Sequence, residues 1–514
     1  MKSIFKAVAI VTIFSVLTRL LGFFFRIFLS RKLGAEGLGI YQIATSILGI
    51  FMTLIASGIP LTTAKFVSKY ESNNEISKRN KAVSSALVVA VLVAIFSSLL
   101  ILLGKPILRT IVADNRAIEI IIILIPSIIF SAVYSIFHGA LWGQKDYFNC
   151  GLTEFIEQII RFILTFILIN TATNYFSATK LTVYSFNITC LISAIITMII
   201  YLRRGKLNFK RGEYIKIIKS SAPITGIRIA SSLVQPLTTI IIPHMLVLSG
   251  FTQSEAIASL GVIMGMTFPM LFVPMSIVGS ISMVLIPTIS AMMTKNDYSS
   301  IEKNISNSIN ISMFISMLFV PLYLSVGNLI GIILFNNTYS GILLQISAVC
   351  VLPITMCNLT GSILNALNLE TKSFLNYIIG SLVLFACLIL LTPFIGVNSI
   401  IVAFFVSMSL ISLLNIRKIK KTIPNMQLNF ISTSIRYTLI VIPSSLIGHF
   451  ISNICLHLFN PLFSSIFGGG LSILCVVILS KVFNIFNWKD LLLLITKRKN
   501  VHNWFVNFLL HKSL

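Results

Sequence analysis

The sequence predicts an all-α, polytopic membrane protein of about 14 transmembrane helices, arranged as two six-helix lobes plus two C-terminal helices. Composition is the first observation behind this. Of 514 residues, 56% are hydrophobic and 10% are charged, too little polar surface for a soluble chain of this size. Mean hydropathy is +0.97. The second observation is length: the apolar runs are about 20 residues each, enough for a helix to cross roughly 30 Å of hydrocarbon, whereas barrel strands would be about half as long and alternating. The third is the alternation of basic and nearly charge-free loops.

The runs fall at roughly 6–30, 39–64, 82–104, 117–143, 151–170, 181–202, 222–248, 256–293, 305–325, 342–367, 376–394, 397–415, 433–456 and 461–486. With the N-terminus inside, most of the 39 Lys and Arg residues face the cytoplasm. The opposite side holds only Arg31, Lys32, Lys105, Arg109, Arg116 and Lys180. The net charge of +25 is therefore a positive-inside bias with both termini cytoplasmic, and no nucleic-acid patch is needed to explain it. Lys2 and Lys6 before an apolar run resemble a signal peptide's start, but no A-x-A site follows and Arg19 interrupts, so an uncleaved first helix is expected.

Within that first helix, Ser15, Arg19, Gly22 and Arg26 fall within roughly 60° of one another, a polar stripe on an otherwise Leu, Phe and Ile surface. Intramembrane arginines cost a few kcal/mol or more and normally face a bundle interior or a watery cavity, so the stripe predicts a cavity that holds an anion. Arg19 lies deep in the span. Arg26 is near its outer end, where snorkelling is a rival explanation.

The fifth span carries Glu154, Glu157, Gln158 and Arg161 on one face, at i, i+3, i+4 and i+7. A self-neutralising Glu157–Arg161 pair and a functional face both fit this spacing. The basic stretch Arg203 to Ser221 reads as a linker between halves lying on anionic headgroups. The seventh span holds Arg228 and Gln235; Gln235 is as deep as Arg19, while Arg228 either lines the cavity or snorkels.

Weak internal similarity relates the halves. Gly261 to Pro287 echoes Gly39 to Pro60, and Leu364-Asn365-Ala366-Leu367-Asn368 echoes Leu141-Trp142-Gly143-Gln144-Lys145, in the same order and at similar spacing. The organisation expected is an N-terminal lobe over 1–205, a basic cytoplasmic linker over 206–221 and a C-terminal lobe over 222–420. Two added helices follow over 433–486, then an interfacial cytoplasmic tail over 487–514. Two parallel lobes would place a cavity between them.

Enzymatic chemistry is not indicated. No GxxxxGK[ST] or G-x-S-x-G run occurs, the six histidines are scattered without acid partners at useful sequence spacing, and the loops are short. The seven cysteines, at 150, 190, 350, 357, 387, 455 and 475, show no CxxC or metal-ligand spacing and read as small apolar core residues. No catalytic residue, metal or cofactor is assigned.

The runs LTRLLGFFFRIFLSRKLGAEGLGIYQ (17–42), ASGIPLTTAKFVSKY (56–70), HGALWGQKDYF (138–148), EFIEQIIRF (154–162) and SLGVIMGMTFPMLFVP (259–274) carry a resemblance through the fourteenth span. The chain resembles the stage V sporulation protein B group, in the multidrug/oligosaccharidyl-lipid/polysaccharide exporter superfamily that includes lipid II flippases. The resemblance implies a bacterial plasma-membrane flippase moving an undecaprenyl-pyrophosphate-linked sugar precursor, foremost peptidoglycan lipid II, by alternating access. It also implies functional basic residues in the first helix. The R-x-x-G of Arg19 and Gly22 matches that pattern, whereas Arg26 stands one residue beyond the second basic position.

The substrate-binding set is then Arg19, Arg26, Gly22, Arg161, Glu154, Glu157, Gln158, Arg228 and Gln235. Partners implied are the lipid-linked oligosaccharide, membrane lipids and cell-wall synthesis proteins. Three other readings stay open: a cation-coupled multidrug exporter of the same superfamily, a flippase for another envelope polysaccharide, and a scaffold that recruits envelope enzymes without transport. The exporter would want a carboxylate deep in the bundle, yet every acidic residue after the fifth span lies in a loop or the tail.

Overall fold

The computed structural model describes residues 2–209, 212–293, 297–423 and 430–486. In chain order the helices are α1 Lys2–Ala56, α2 Gly58–Ser72, α3 Ile76–Leu103, α4 Lys105–Ile111, α5 Asn115–Gly143, α6 Tyr147–Ile169, α7 Tyr175–Leu202, α8 Tyr214–Ser232 and α9 Val234–Leu248. They continue as α10 Gln253–Leu260, α11 Phe268–Met293, α12 Tyr298–Phe335, α13 Thr338–Ser347, α14 Val351–Ala366, α15 Glu370–Ile395, α16 Asn398–Thr422, α17 Phe430–Leu458 and α18 Pro461–Val482. No strand occurs among the described residues. The expected interfacial tail, 487–514, lies outside them.

Among the described residues, twelve stretches are long and apolar enough to cross a membrane. The first, Ile10–Ser72, has 63 residues, enough for two crossings. The 23-residue α6 is not among the twelve because it carries three charged residues, Glu154, Glu157 and Arg161, and its length suffices for one more. Fourteen crossings result, and the chain is a multi-pass membrane protein.

Local chemistry sets the breaks. α1 bends at Gly34, whose φ of 66° lies in the left-handed region open to a residue without Cβ. Asp114, Asp146 and Asn174 cap α5, α6 and α7 by accepting backbone N–H groups of the first turn. At the other end of α5, Lys145 (φ 60°) turns the chain, with Asp146 N–H donating to Leu141 O at 3.0 Å. The same turn ends α14: Asn368 (φ 59°), with Leu369 N–H donating to Leu364 O at 2.8 Å. The sequence echo between those two segments is thus an echo of backbone geometry.

The chain forms two compact units, Met1–Met266 with Leu388–Val397, and Thr267–Cys387 with Asn398–Leu514. The cut differs from the linker at 206–221, because α8 and α9 pack within the first unit. In that unit a Cβ at Gly58 of α2 would stand 2.5 Å from the Ser221 carbonyl oxygen, so α2 and α8 touch backbone to backbone. Likewise a Cβ on Gly39 would stand 2.1 Å from Ile257 O, and one on Gly261, where a π-helical stretch Gly261–Thr267 follows α10, would stand 1.9 Å from Ala35 O. α1 and α6 run side by side on an aromatic seam, Phe14 with Phe148 (centroids 5.7 Å) and Phe28 with Phe166 (5.7 Å). Apart from the aromatics, much of the buried interior is Ser and Thr whose hydroxyls donate back to carbonyls one turn earlier, as Thr63 does to Ile59 and Thr197 to Ser193.

The linker does not merely lie at a membrane surface. Arg79, buried at the start of α3, donates to Glu71 (2.8 Å), to Asn80 and to the Arg204 carbonyl (3.0 Å). Asn208 N–H donates to Ser84 Oγ at 2.7 Å and Glu213 N–H to Ser85 Oγ at 2.9 Å, so this stretch is hydrogen-bonded onto α3.

In the second unit α12 is the central element. Tyr323 is buried and donates to the Met270 carbonyl at 2.7 Å, and Ser316 meets Thr355 of α14 at 2.6 Å. α17 and α18 cross where Gly448 and Gly468 approach each other's backbones, and both pack on α12.

Candidate functional site: a polar cavity in the first unit

A cavity of about 870 Å³ lies inside the first unit, walled by the end of α1, by α2, the last turns of α5, the first turns of α6, and by α7 and α8. Most of its wall is apolar or hydroxylic. Its charged lining is Lys145, Glu154, Glu157 and Arg228, beside His138, Trp142, Tyr134 and Tyr147.

The helix spacing explains the acidic wall. Glu154, Glu157 and Arg161 share a face of α6, and Arg161 donates to Glu157 one turn below it. The guanidinium also lies 4.8 Å from the centre of the Phe186 ring of α7, a cation–π contact that holds it in the protein. Its Nε is buried and makes no hydrogen bond among the described residues. The pair is more than half buried, so each charge depends on the other for compensation.

Across from this face, α5 and the first residue of α6 present an aromatic ladder. Tyr134 stacks on His138 (5.3 Å, 19°), His138 meets Trp142 edge-on (6.4 Å), and Trp142 meets Tyr147 edge-on (5.4 Å). His138 Nε2 lies 3.3 Å from Glu154 Oε1. Sequence spacing offers His138 no acid partner, since its acid comes from the next helix. The signal was present: residues 138 and 154 stand at equal distances on either side of the α5–α6 turn at Asp146.

The remaining sequence-selected residues separate from these. Arg19 and Arg26 are exposed, and a Cβ on Gly22 would meet no atom within 4 Å, so the stripe exists as an open face of α1. It lies about 130° around the helix from the Phe14, Phe25 and Phe28 seam on α6. Gln158 is half-buried and Gln235 exposed, and neither lines the cavity. Tyr41, which the sequence did not single out, is the link: it lies within electrostatic reach of both Arg161 and Arg26, and of Cys190 in the cavity wall. Arg26 of α1 and Arg161 of α6 are thus neighbours of one tyrosine rather than members of one pocket wall. Arg228 does line the cavity.

An arrangement of fixed cations, paired carboxylates and aromatic rings inside a membrane bundle suits a ligand with an anionic group and polar hydroxyls. The profile of the family described as polysaccharide biosynthesis protein matches residues 4–293, more than half of the chain. Stage V sporulation protein B of Bacillus subtilis (strain 168) is 23% identical over 434 residues, covering 82% of this chain and 84% of that one. Lipid II flippase MurJ of the same organism is 20% identical over 353 residues, 63% of each chain. A solved structure of lipid II flippase MurJ in an inward closed conformation superposes with a TM-score of 0.72 at 18% identity, covering 94% of this chain and 99% of that chain. An inward-facing multidrug resistance MATE family transporter of the MOP superfamily gives 0.65 at 11% identity, over 80% of this chain and 95% of the other. The chain belongs to the polysaccharide biosynthesis protein family and has the fold of the MOP-superfamily transporters.

Proposed function

We propose that this chain is a flippase that moves an undecaprenyl-diphosphate-linked sugar precursor, foremost peptidoglycan lipid II, from the inner to the outer leaflet of a bacterial plasma membrane by alternating access. The observation that carries the reading is the cavity of about 870 Å³ in which Arg228 and Lys145 stand with Glu154, Glu157, Trp142 and Tyr147. Cations suit a diphosphate, and carboxylates and aromatic rings suit the hydroxyls and apolar faces of a sugar. The open arginine stripe of α1 is assigned to the diphosphate as well, with Arg19 its principal contact and Gly22 leaving room beside it.

With both termini cytoplasmic, the cavity lies in the cytoplasmic half, where such a precursor would enter. The names of the relatives, a sporulation protein and a lipid II flippase, support the same class of substrate. The decisive experiment is translocation of labelled lipid II and of other polyprenyl-linked sugars by purified protein in liposomes. Failure to move any of them would overturn the reading. A second reading, export of a cationic drug, is favoured by the two carboxylates in the cavity wall. Drug efflux from cells expressing the chain, without lipid flipping, would select it.

A further inference from the structure

Glu154 and Glu157 line the same cavity but are compensated differently. Glu157 is held by Arg161. Among the described residues no Lys or Arg forms an ion pair with Glu154, whose charged-group neighbour is His138, Nε2 to Oε1 3.3 Å. That Nε2 is buried and makes no hydrogen bond among the described residues. The imidazole is fixed between Tyr134 and Trp142 and is 16% exposed, so it cannot swing to another partner without leaving the stack. The groups that face it are countable by element. α6 supplies Glu154, Glu157, Tyr147 and Cys150, α7 supplies Cys190, α8 supplies Arg228, and the end of α5 supplies Lys145. The walls from α1 and α2 are uncharged. Asp146 is occupied by Arg204 at 2.8 Å and by Asn149.

Histidine is the side chain whose charge changes near neutral pH. A neutral His138 leaves Glu154 without an ion-pair partner among the described residues. An imidazolium compensates it and adds one positive charge to a lining that already carries Arg228 and Lys145. An anion entering the cavity stabilises that added charge, and by linkage the added charge tightens the anion. We infer that His138 with Glu154 is a proton-binding site whose occupancy is coupled to the anion in the cavity, so that protonation and anion binding favour each other. This inference rests on the cavity receiving an anionic substrate.

The test uses the full chain in detergent, with undecaprenyl diphosphate as the probe. Carbon-13 histidine resonances are followed from about pH 5 to about pH 8. The signal missing from His138→Gln identifies His138. It titrates in the native protein, titrates at lower pH in Glu154→Gln, and moves to higher pH when the probe is added. In parallel, the gain in probe affinity from about pH 8 to about pH 6 is roughly fivefold or more larger in the native protein than in His138→Gln, which subtracts the titration of the probe itself. A His138 signal that is flat with pH, or indifferent to the Glu154→Gln change, overturns the proton site. An equal pH response in native and His138→Gln protein overturns the coupling. Should His138→Gln fail to fold, His138→Asn takes its place in both arms. If the native protein does not bind the probe, the flippase reading and the coupling fail together, and the proton site is judged by the titration alone.

Discussion

Tyr70 donates its hydroxyl hydrogen to the carboxylate of Glu213, 143 residues away, lying 2.9 and 3.1 Å from the two oxygens. Lys216 adds bonds to both partners, at 2.9 Å to the tyrosine oxygen and 3.1 Å to the carboxylate. The ring of Tyr70 is buried, so Phe fits in its place. Tyr70→Phe is expected to cost about 1.5–3 kcal/mol, the range for a bond to a charged group. Limited proteolysis should then cut within residues 203–213 faster than in the native chain, and unchanged cleavage would show that the bond does not hold the linker.

Arg161 compensates Glu157, a carboxylate of the cavity wall. Arg161→Ala leaves the Glu157 carboxylate without its partner, with an expected loss of about 3–5 kcal/mol. Replacing both, Glu157→Gln with Arg161→Gln, should recover most of that stability in a detergent melting experiment. Lipid translocation should stay low in the double variant if the charges serve the substrate. Recovery of transport along with stability would reduce the pair to a structural role.

Arg19 is the opposite case. It is exposed, and its guanidinium is tied to no partner among the described residues. Arg19→Ala should leave melting within about 0.5 kcal/mol of native and the protein in the membrane, while translocation is abolished. A transport-competent Arg19→Ala chain would remove the arginine stripe from the binding reading.

Three glycines of α1 and the π-helical stretch separate packing from access. Alanine at Gly39 or Gly261 would set a methyl 2.1 or 1.9 Å from a carbonyl oxygen, and each should cost about 1–3 kcal/mol or more by forcing the helices apart. Alanine at Gly22 meets nothing within 4 Å and should stabilise the helix by up to about 1 kcal/mol. A Gly22→Ala chain that melts higher but transports less would mark that position as space the substrate uses.

Much of this architecture is legible in the chain because lipid imposes it. Every crossing must satisfy its own backbone, so apolar run length and loop charge locate the helices, and the i, i+3, i+7 spacing locates the Glu154–Glu157–Arg161 face. Contacts between helices are another matter. His138 meets Glu154 only because the turn at Asp146 folds α5 against α6, and Tyr41 approaches Arg26 and Arg161 only after α1 bends at Gly34. The exposure of Arg19 on a face turned away from α6 was also out of reach, since angular position on a helix says which residues share a side and not what lies opposite.

The turn at Lys145 bears one more implication. Its counterpart, Asn368, belongs to a residue type that tolerates the left-handed backbone, but a lysine there is strained. Lys145→Asn or Lys145→Gly should therefore make a sturdier protein with one cation fewer in the cavity. At this position durability and charge are rivals, and the native chain stands on the side of charge.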